Sequence, residues 1–155
     1  AIRLDSLDIQ YYRLCSSALV ELEVKQWLNN PKETISQELI IKLEDLERVY
    51  ITNHYFSRLC ALYLLQVRIA LASFFINEVD QWFTKCEQIA NQHDMGFYKK
   101  AVQLERKRFQ QYKQRITAIM QTEKIITPER QMDLYRNYLQ EAVLVRKEFE
   151  GDSEE

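Results

Sequence analysis

The chain has 155 residues, of which 46% are hydrophobic and 28% charged, and its formal net charge is −2. This apolar content is sufficient for one compact core, so we predict a single domain over residues 1–149. With two glycines and two prolines, the composition excludes sandwiches, barrels and long disordered linkers, and the isolated Gly96 and Gly151 exclude glycine-dependent phosphate loops.

Hydrophobic periodicity predicts a first helix that is capped by Asp5 or Ser6 and stops at Asn29-Asn30-Pro31. Its main apolar stripe consists of Leu4, Leu7, Tyr11, Leu14, Ala18 and Leu22. Further apolar residues, among them Tyr12, Leu19, Val20, Val24, Trp27 and Leu28, exceed what one neighbouring helix covers. In a repeat array this surface would contact a preceding repeat, and in an isolated chain a second copy would cover it, as a homodimer through the first helix. The alternative is that these residues are buried in the core of the same chain.

Capping residues and the spacing of apolar residues predict the next two helices. Asn30 and Pro31 suit the start of a second helix, whose stripe is Ile35, Leu39, Leu43, Leu46 and Tyr50. The third helix, over residues 55–76, is apolar on nearly all sides, so we expect it to be covered on most of them. Arg68 lies near the centre of this apolar stretch, which argues against a transmembrane segment.

Three more helices complete an all-α fold. Asn77 is the predicted cap of the fourth helix and Gly96 its left-handed stop, so helices three and four form a hairpin with a very short turn. The fifth helix has the stripe Tyr98, Val102, Phe109, Tyr112, Ile116 and Ile119. The sixth begins at Thr127-Pro128-Glu129, and residues 150–155 are predicted to form an acidic, disordered tail.

A repeat is visible in the sequence. Arg13-Leu14-Cys15 recurs as Arg58-Leu59-Cys60 at an offset of 45 residues, which aligns the first helices of two successive hairpins. Stacked hairpins would each bury an apolar face against their neighbours. The sequence therefore predicts six helices arranged as stacked antiparallel hairpins, in an α–α superhelix or a helical bundle.

The residues that follow resemble a known family. A leucine-rich run at residues 63–71, a partner helix closing on Ile89-Ala90, and a long charged helix before Pro128-Glu129-Arg130 are similar to the C-terminal end of archaeal tetratricopeptide-like (TPR) arrays. The resemblance is clearest over residues 55–143. It implies scaffolding or protein binding, with the chain as the terminal part of a larger repeat protein. The start at Ala1 agrees with such a piece.

The chain lacks the residue patterns of an enzyme. His54 and His93 have no metal-ligand spacing, and we interpret both as helix-end residues. Cys15, Cys60 and Cys86 lie on apolar stretches, so we interpret them as reduced core thiols; a thiol-dependent enzyme at Cys60 or Cys86 is the remote alternative. We expect no metal and no cofactor, and a cytoplasmic setting, because no signal peptide precedes the first helix.

Charge supplies a second functional hypothesis. Residues 96–124 contain eight basic and two acidic side chains. In one interpretation this face is solvated and pairs with Glu129, Asp133 and Glu141 of the last helix. In the other, the helix over residues 98–116 binds nucleic acid or an anionic membrane through Lys99, Lys100, Arg106, Lys107 and Arg108. A pI near 5.8 makes nucleic acid the less favoured partner.

Our main prediction is a non-enzymatic protein–protein interaction or scaffold module. The partner is another protein or peptide, bound on the face between successive first helices. The candidate contact residues on this face are Tyr12, Gln66 and Arg68.

Overall fold

The computed structural model describes the backbone of residues 6–31 and 34–153, and the side chains of residues 15–31 and 34–140. Within these residues the chain forms six α-helices and no β-strand, which confirms the all-α prediction. The helices are α1 (Ser6–Asn29), α2 (Gln37–Thr52), α3 (Phe56–Ala72), α4 (Ile76–Gln92), α5 (Gly96–Thr122) and α6 (Pro128–Ser153). The chain divides into two compact units, Ala1–Tyr55 and Phe56–Glu155, whereas composition predicts one domain over residues 1–149.

In the first unit, α1 packs on α2 through a different face from the predicted one. Ser17, Val20, Val24 and Leu28 are buried, whereas Ala18 and Leu22 of the predicted stripe are exposed. The prediction of that stripe is wrong for these residues because α1 is apolar on several sides, and periodicity alone cannot select the side that packs. Side chains before Cys15 lie outside the described residues.

The second helix begins later than the sequence predicts. Ser36 is its N-cap, and the Ser36 hydroxyl accepts a hydrogen bond from the backbone N–H of Leu39 at 3.2 Å. Asn30 and Pro31 therefore do not start this helix, because Ser36 satisfies the same orphan donors directly before the apolar stripe. Leu39, Leu43, Leu46 and Tyr50 are buried, as predicted.

In the second unit, α3 and α4 form the predicted hairpin. The contact between these two helices is the most extensive helix–helix contact of the unit. In α4, helical spacing of the apolar residues predicts an inward stripe of Val79, Trp82, Phe83, Cys86, Ile89 and Ala90. The stripe is confirmed at Val79, Phe83, Cys86 and Ala90, which are fully buried. The α5 helix then packs on α4, and α6 contacts both α3 and α5. This arrangement leaves α3 covered on more than one side, as its apolar composition predicts.

Three connections repeat the same geometry twenty residues apart. His54, Phe74 and Asp94 each have a positive φ, of 57°, 60° and 50°. In each connection the backbone N–H of the next residue donates to a helix carbonyl five residues earlier, at 2.9, 2.8 and 2.8 Å. These are Schellman-type helix ends. The local repeat is therefore one helix plus one short connection, a period that the 45-residue sequence match does not reveal.

Two predicted boundary residues differ from this pattern. Asn77 lies inside α4, whose N-cap is Phe75, and Gly96 begins α5 without a positive φ. The left-handed position falls on Asp94 instead, and aspartate tolerates that conformation better than most residues because its short polar side chain can hydrogen-bond locally. The Gly96 and Asn77 predictions are therefore each wrong by two residues.

Glycine at one left-handed position is expected to stabilise the protein. His54→Gly removes the steric penalty of a Cβ at φ 57°, so we expect the free energy of unfolding to rise by about 0.5–1 kcal/mol. Urea unfolding followed by circular dichroism measures this change. Thr52→Gly, in the last turn of α2, is the matched control and should lower stability by about 0.5–1 kcal/mol. Equal effects of the two changes would contradict the prediction.

The last helix begins as predicted and ends later. The Thr127 hydroxyl accepts a hydrogen bond from the backbone N–H of Arg130 at 3.2 Å, so Thr127 caps α6. The helix continues to Ser153, which includes residues 150–153 of the predicted disordered tail. A single interior glycine costs a helix only about 1 kcal/mol, so Gly151 does not end it. Residues 154–155 lie outside the described part of the chain.

Candidate functional site

The predicted contact residue Arg68 lies where α3, α5 and α6 meet. Its guanidinium is 3.9 Å from the carboxylate of Glu105 on α5. Burial raises the pKa of the Tyr135 hydroxyl on α6, and the positive charge of Arg68 opposes that rise. We call Arg68, Glu105 and Tyr135, one residue from each of the three helices, the first rung of side chains.

A second rung lies one helical turn further along α5. Arg108 follows Glu105 by three residues, so both project from the same face of the helix. Its guanidinium donates a hydrogen bond to the backbone carbonyl of Tyr138 at 2.9 Å and lies 4.7 Å from the centre of the Tyr138 ring. Tyr138 in turn stacks edge-on with Tyr112 of α5, with ring centroids 5.1 Å apart.

These two rungs define a surface that we call the α3/α5 face: Arg68 on α3 with Glu105, Arg108 and Tyr112 on α5. The α6 helix lies on it through Leu134, Tyr135 and Tyr138, which are buried, while most of its other described residues are exposed or half-buried. Tyr135 and Tyr138 are three residues apart and therefore reach neighbouring rungs. The face thus accommodates one amphipathic helix through a narrow aromatic stripe.

Arg108 is the electrostatically unusual residue of this face. It is 7% exposed, and its Nε has no hydrogen-bond partner. Among the residues with described side chains, no carboxylate pairs with it; its contacts are the carbonyl and ring of Tyr138. A buried charge without a counter-ion is costly, because the desolvation of the guanidinium is not offset by a Coulombic partner.

The other predicted contact residues do not join this face. Gln66 is two residues from Arg68 on α3, so the two side chains project about 160° apart. The structure therefore does not bring Gln66 and Arg68 together. Tyr12 belongs to α1, and its side chain lies outside the described residues.

The five basic residues of the alternative hypothesis do not form one free patch. Lys99 pairs with Asp94 at 2.5 Å, Arg106 pairs with Glu87 at 2.8 Å and also donates to Thr84, and Arg108 is buried. Lys100 and Lys107 are exposed. The expected pairing with the acids of the last helix is also not observed for Lys99 and Arg106, because Asp94 and Glu87 are nearer partners.

The two buried thiols, Cys60 and Cys86, contact each other across α3 and α4. The Cys60 thiol donates to the Cys86 carbonyl at 3.8 Å, and the Cys86 thiol donates to the Cys60 carbonyl at 3.6 Å. The contact with the Cys60 thiol and burial raise the pKa of Cys86, which suppresses its thiolate. Cys15 is exposed, so its assignment to the core is wrong.

Neither histidine adds chemistry to the α3/α5 face. His54 and His93 lie at helix ends, as predicted, and the His93 ring stacks on Phe56 with centroids 3.6 Å apart. No cluster of three or more potential metal ligands occurs in the part of the chain that the structure describes. No described helix combines the length and the apolar character needed to cross a bilayer.

The sequence did not predict that several of these residues lie on the α3/α5 face. The sequence gives Glu105 no predicted role, and it places Tyr112 only on the core stripe of the fifth helix. A signal for them is present, since Glu105 with Arg108 and Tyr135 with Tyr138 both have the three-residue spacing of one helix face. Without knowledge of which helices meet, that spacing does not distinguish this face from any other.

Comparison with known proteins gives no family assignment. No family model matches the chain, and no curated protein or solved structure matches it either. The case for a function therefore depends on the geometry of the α3/α5 face.

Proposed function

We propose that this chain is a non-enzymatic protein–protein interaction or scaffold module of the tetratricopeptide-like kind, which binds its partner on the α3/α5 face. The observation that supports this proposal is that the face already accommodates an amphipathic helix, α6, through buried Tyr135 and Tyr138. Recognition of a helix in a groove uses this type of contact: a few apolar anchors on one side of the bound helix.

The same proposal includes the setting of the chain. We place it in the cytoplasm, as the terminal part of a larger helical-repeat protein. The similar backbone geometry at positions 54, 74 and 94 supports the repeat interpretation, because repeat units reuse the same local structure.

Peptide selection tests the proposed function. A displayed library of random peptides, selected on the full chain, should enrich sequences with a shared aromatic and acidic pattern. Their affinity should fall about tenfold with Arg68→Glu, because this change reverses a charge on the α3/α5 face. Fluorescence anisotropy with the selected peptides measures the affinity.

An exposed cation elsewhere on α5 provides the control. Lys107→Glu should leave peptide affinity within about twofold, since exposed rim charges contribute little to affinity. Peptides that are insensitive to Arg68→Glu would contradict the proposed face. Retention of the chain on heparin that disappears with Lys100→Glu and Lys107→Glu would favour the nucleic-acid or anionic-membrane alternative.

We also propose that α1 mediates pairing of two copies. Leu19 and Leu22 are 61% and 51% exposed. Between α1 and α2 there is a groove of about 400 Å³, with an apolar floor of Leu19, Val20, Leu46 and Val49 and a charged rim that includes Glu23 and Lys42. A matching α1 from a second copy would cover these leucines.

Light scattering coupled to size-exclusion chromatography tests this pairing. The unmodified chain should elute with the mass of two copies, and Leu19→Glu with Leu22→Glu should give the mass of one. Ile125→Glu, at an exposed residue of the other unit, should leave the mass unchanged. A single-copy mass for the unmodified chain would show that α1 does not mediate pairing.

A further inference from the structure

We propose that α6 is an exchangeable occupant of the α3/α5 face, and that the partner which displaces it is a helical segment carrying a carboxylate opposite Arg108. This inference deepens the proposed function and rests on it. It adds the regulation of the site, through a helix of the chain itself, and the chemical class of the partner.

The first support is the state of Arg108. Its guanidinium is buried under α6, yet no carboxylate pairs with it among the residues with described side chains, and its Nε has no partner. If α6 covered this face permanently, an apolar side chain would pack there at lower cost. A carboxylate from a partner would supply the missing counter-ion and accept two parallel hydrogen bonds from the guanidinium.

The second support is the way in which the described side chains of α6, those of residues 128–140, contact the rest of the unit. Of its described side chains, Leu134, Tyr135 and Tyr138 are buried. The hydrogen bond from the Arg108 guanidinium to the Tyr138 carbonyl is a further contact between α5 and α6. The contacts of the helical core are separate, since the Phe83–Phe109 and Cys60–Cys86 pairs connect α3, α4 and α5 only. Release of α6 would therefore leave the three-helix core packed.

The chemistry of the partner follows from the apolar anchors of α6 and from the lack, among the described side chains, of a carboxylate beside Arg108. Leu134, Tyr135 and Tyr138 define an anchor pattern with spacings of one and three residues on an amphipathic helix. Among the residues with described side chains, Arg68 and Glu105 balance each other, and Arg108 is the cation of this face that has no carboxylate beside it. A helix with similar anchors and one carboxylate near the position of Tyr138 would satisfy both requirements.

The α6 segment itself is a suitable probe. A fluorescent synthetic peptide of residues 127–153 is titrated with the full chain and with a loosened chain, in which Tyr135→Ala and Tyr138→Ala weaken the resident helix. We expect the loosened chain to bind the peptide about tenfold more tightly, because the resident α6 competes less well. Circular dichroism verifies that the loosened chain keeps its helical content.

Two modified peptides test the role of Arg108. The Tyr138→Glu peptide should bind the loosened chain about tenfold more tightly than the Tyr138→Gln peptide, which differs only in charge. This preference should disappear when the loosened chain also carries Arg108→Met. Equal binding of the two peptides would overturn the carboxylate part of the proposal.

Amide hydrogen exchange tests the proposal on the unmodified chain. Amide hydrogens of α6 should exchange with solvent at least tenfold faster than those of α5, since α6 opens without the core. Equal protection of α6 and α5, together with no peptide binding to the loosened chain, would show that α6 is a fixed part of the fold.

These outcomes separate the inference from the proposed function. If peptide selection succeeds but α6 neither exchanges nor is replaced, the inference fails, and the proposed function stands with the partner bound beside α6, where the Arg68 side chain is partly exposed. If the α6 peptide binds but selection on the chain enriches nothing, α6 is an exchangeable helix and the proposed function fails.

Discussion

Phe109→Ala is expected to lower the free energy of unfolding by about 3–5 kcal/mol, the usual cost of removing a fully buried aromatic ring. Phe109 has no exposed surface, and its ring lies 6.0 Å from that of the equally buried Phe83. This pair joins α5 to α4, so the alanine variant loses apolar burial and opens a cavity between the two helices. Guanidinium unfolding followed by far-UV circular dichroism measures the change.

Two further variants make this result interpretable. Phe109→Leu keeps most of the volume and should cost about 1 kcal/mol, which gives a measurable value if the alanine variant does not fold. Phe97→Ala removes the same ring from the start of α5, where it is 62% exposed, and should change stability by less than about 0.5 kcal/mol. Similar losses for Phe97→Ala and Phe109→Ala would contradict the assigned core.

The core of α2, α4 and α5 could be predicted because each of these helices is apolar on one side only. Leu43, Phe83 and Phe109 lie on stripes that the sequence identifies and the structure buries. The first helix is different. It has apolar residues on several sides, so the choice between Leu22 and Val24 as core residues depends on how α2 packs against it, and that information is not local.

Helix boundaries were harder to predict because left-handed connections do not require glycine. His54, Phe74 and Asp94 take up positive φ values that the sequence does not mark. Glycine and asparagine were used as markers instead, which misplaced the stop at Gly96 and the cap at Asn77. The energetic difference between these alternatives is about 1 kcal/mol, too small to fix a boundary from the sequence alone.

The candidate site was predictable in part. Arg68 interrupts an apolar helix, and a charge in that position identifies it as unusual. Arg108 was assigned to an exposed basic patch, because a count of charges along α5 does not tell which of them α6 covers. Burial of Arg108 results from the return of α6 onto α3 and α5, a tertiary contact between residues thirty apart in sequence.

Arg108→Met is expected to raise the free energy of unfolding by about 1–3 kcal/mol, although it removes a hydrogen bond and a ring contact. The guanidinium is desolvated beneath α6 without a described carboxylate, and methionine has a similar length without a charge. Thermal and chemical unfolding both measure the gain. A residue retained at a cost in stability is typical of a binding surface, where the counter-ion comes from the partner.

Arg106→Met is the matched control on the same helix. Arg106 pairs with Glu87 at 2.8 Å and lies 5.7 Å from the centre of the Phe83 ring. Its loss should lower stability by about 0.5–1 kcal/mol, since that guanidinium already has its counter-ion and remains partly solvated. The two substitutions should thus change stability in opposite directions. A loss of more than about 1 kcal/mol for Arg108→Met would mean that the Tyr138 contacts compensate for its burial, and the charge would then give no reason to expect an acidic partner.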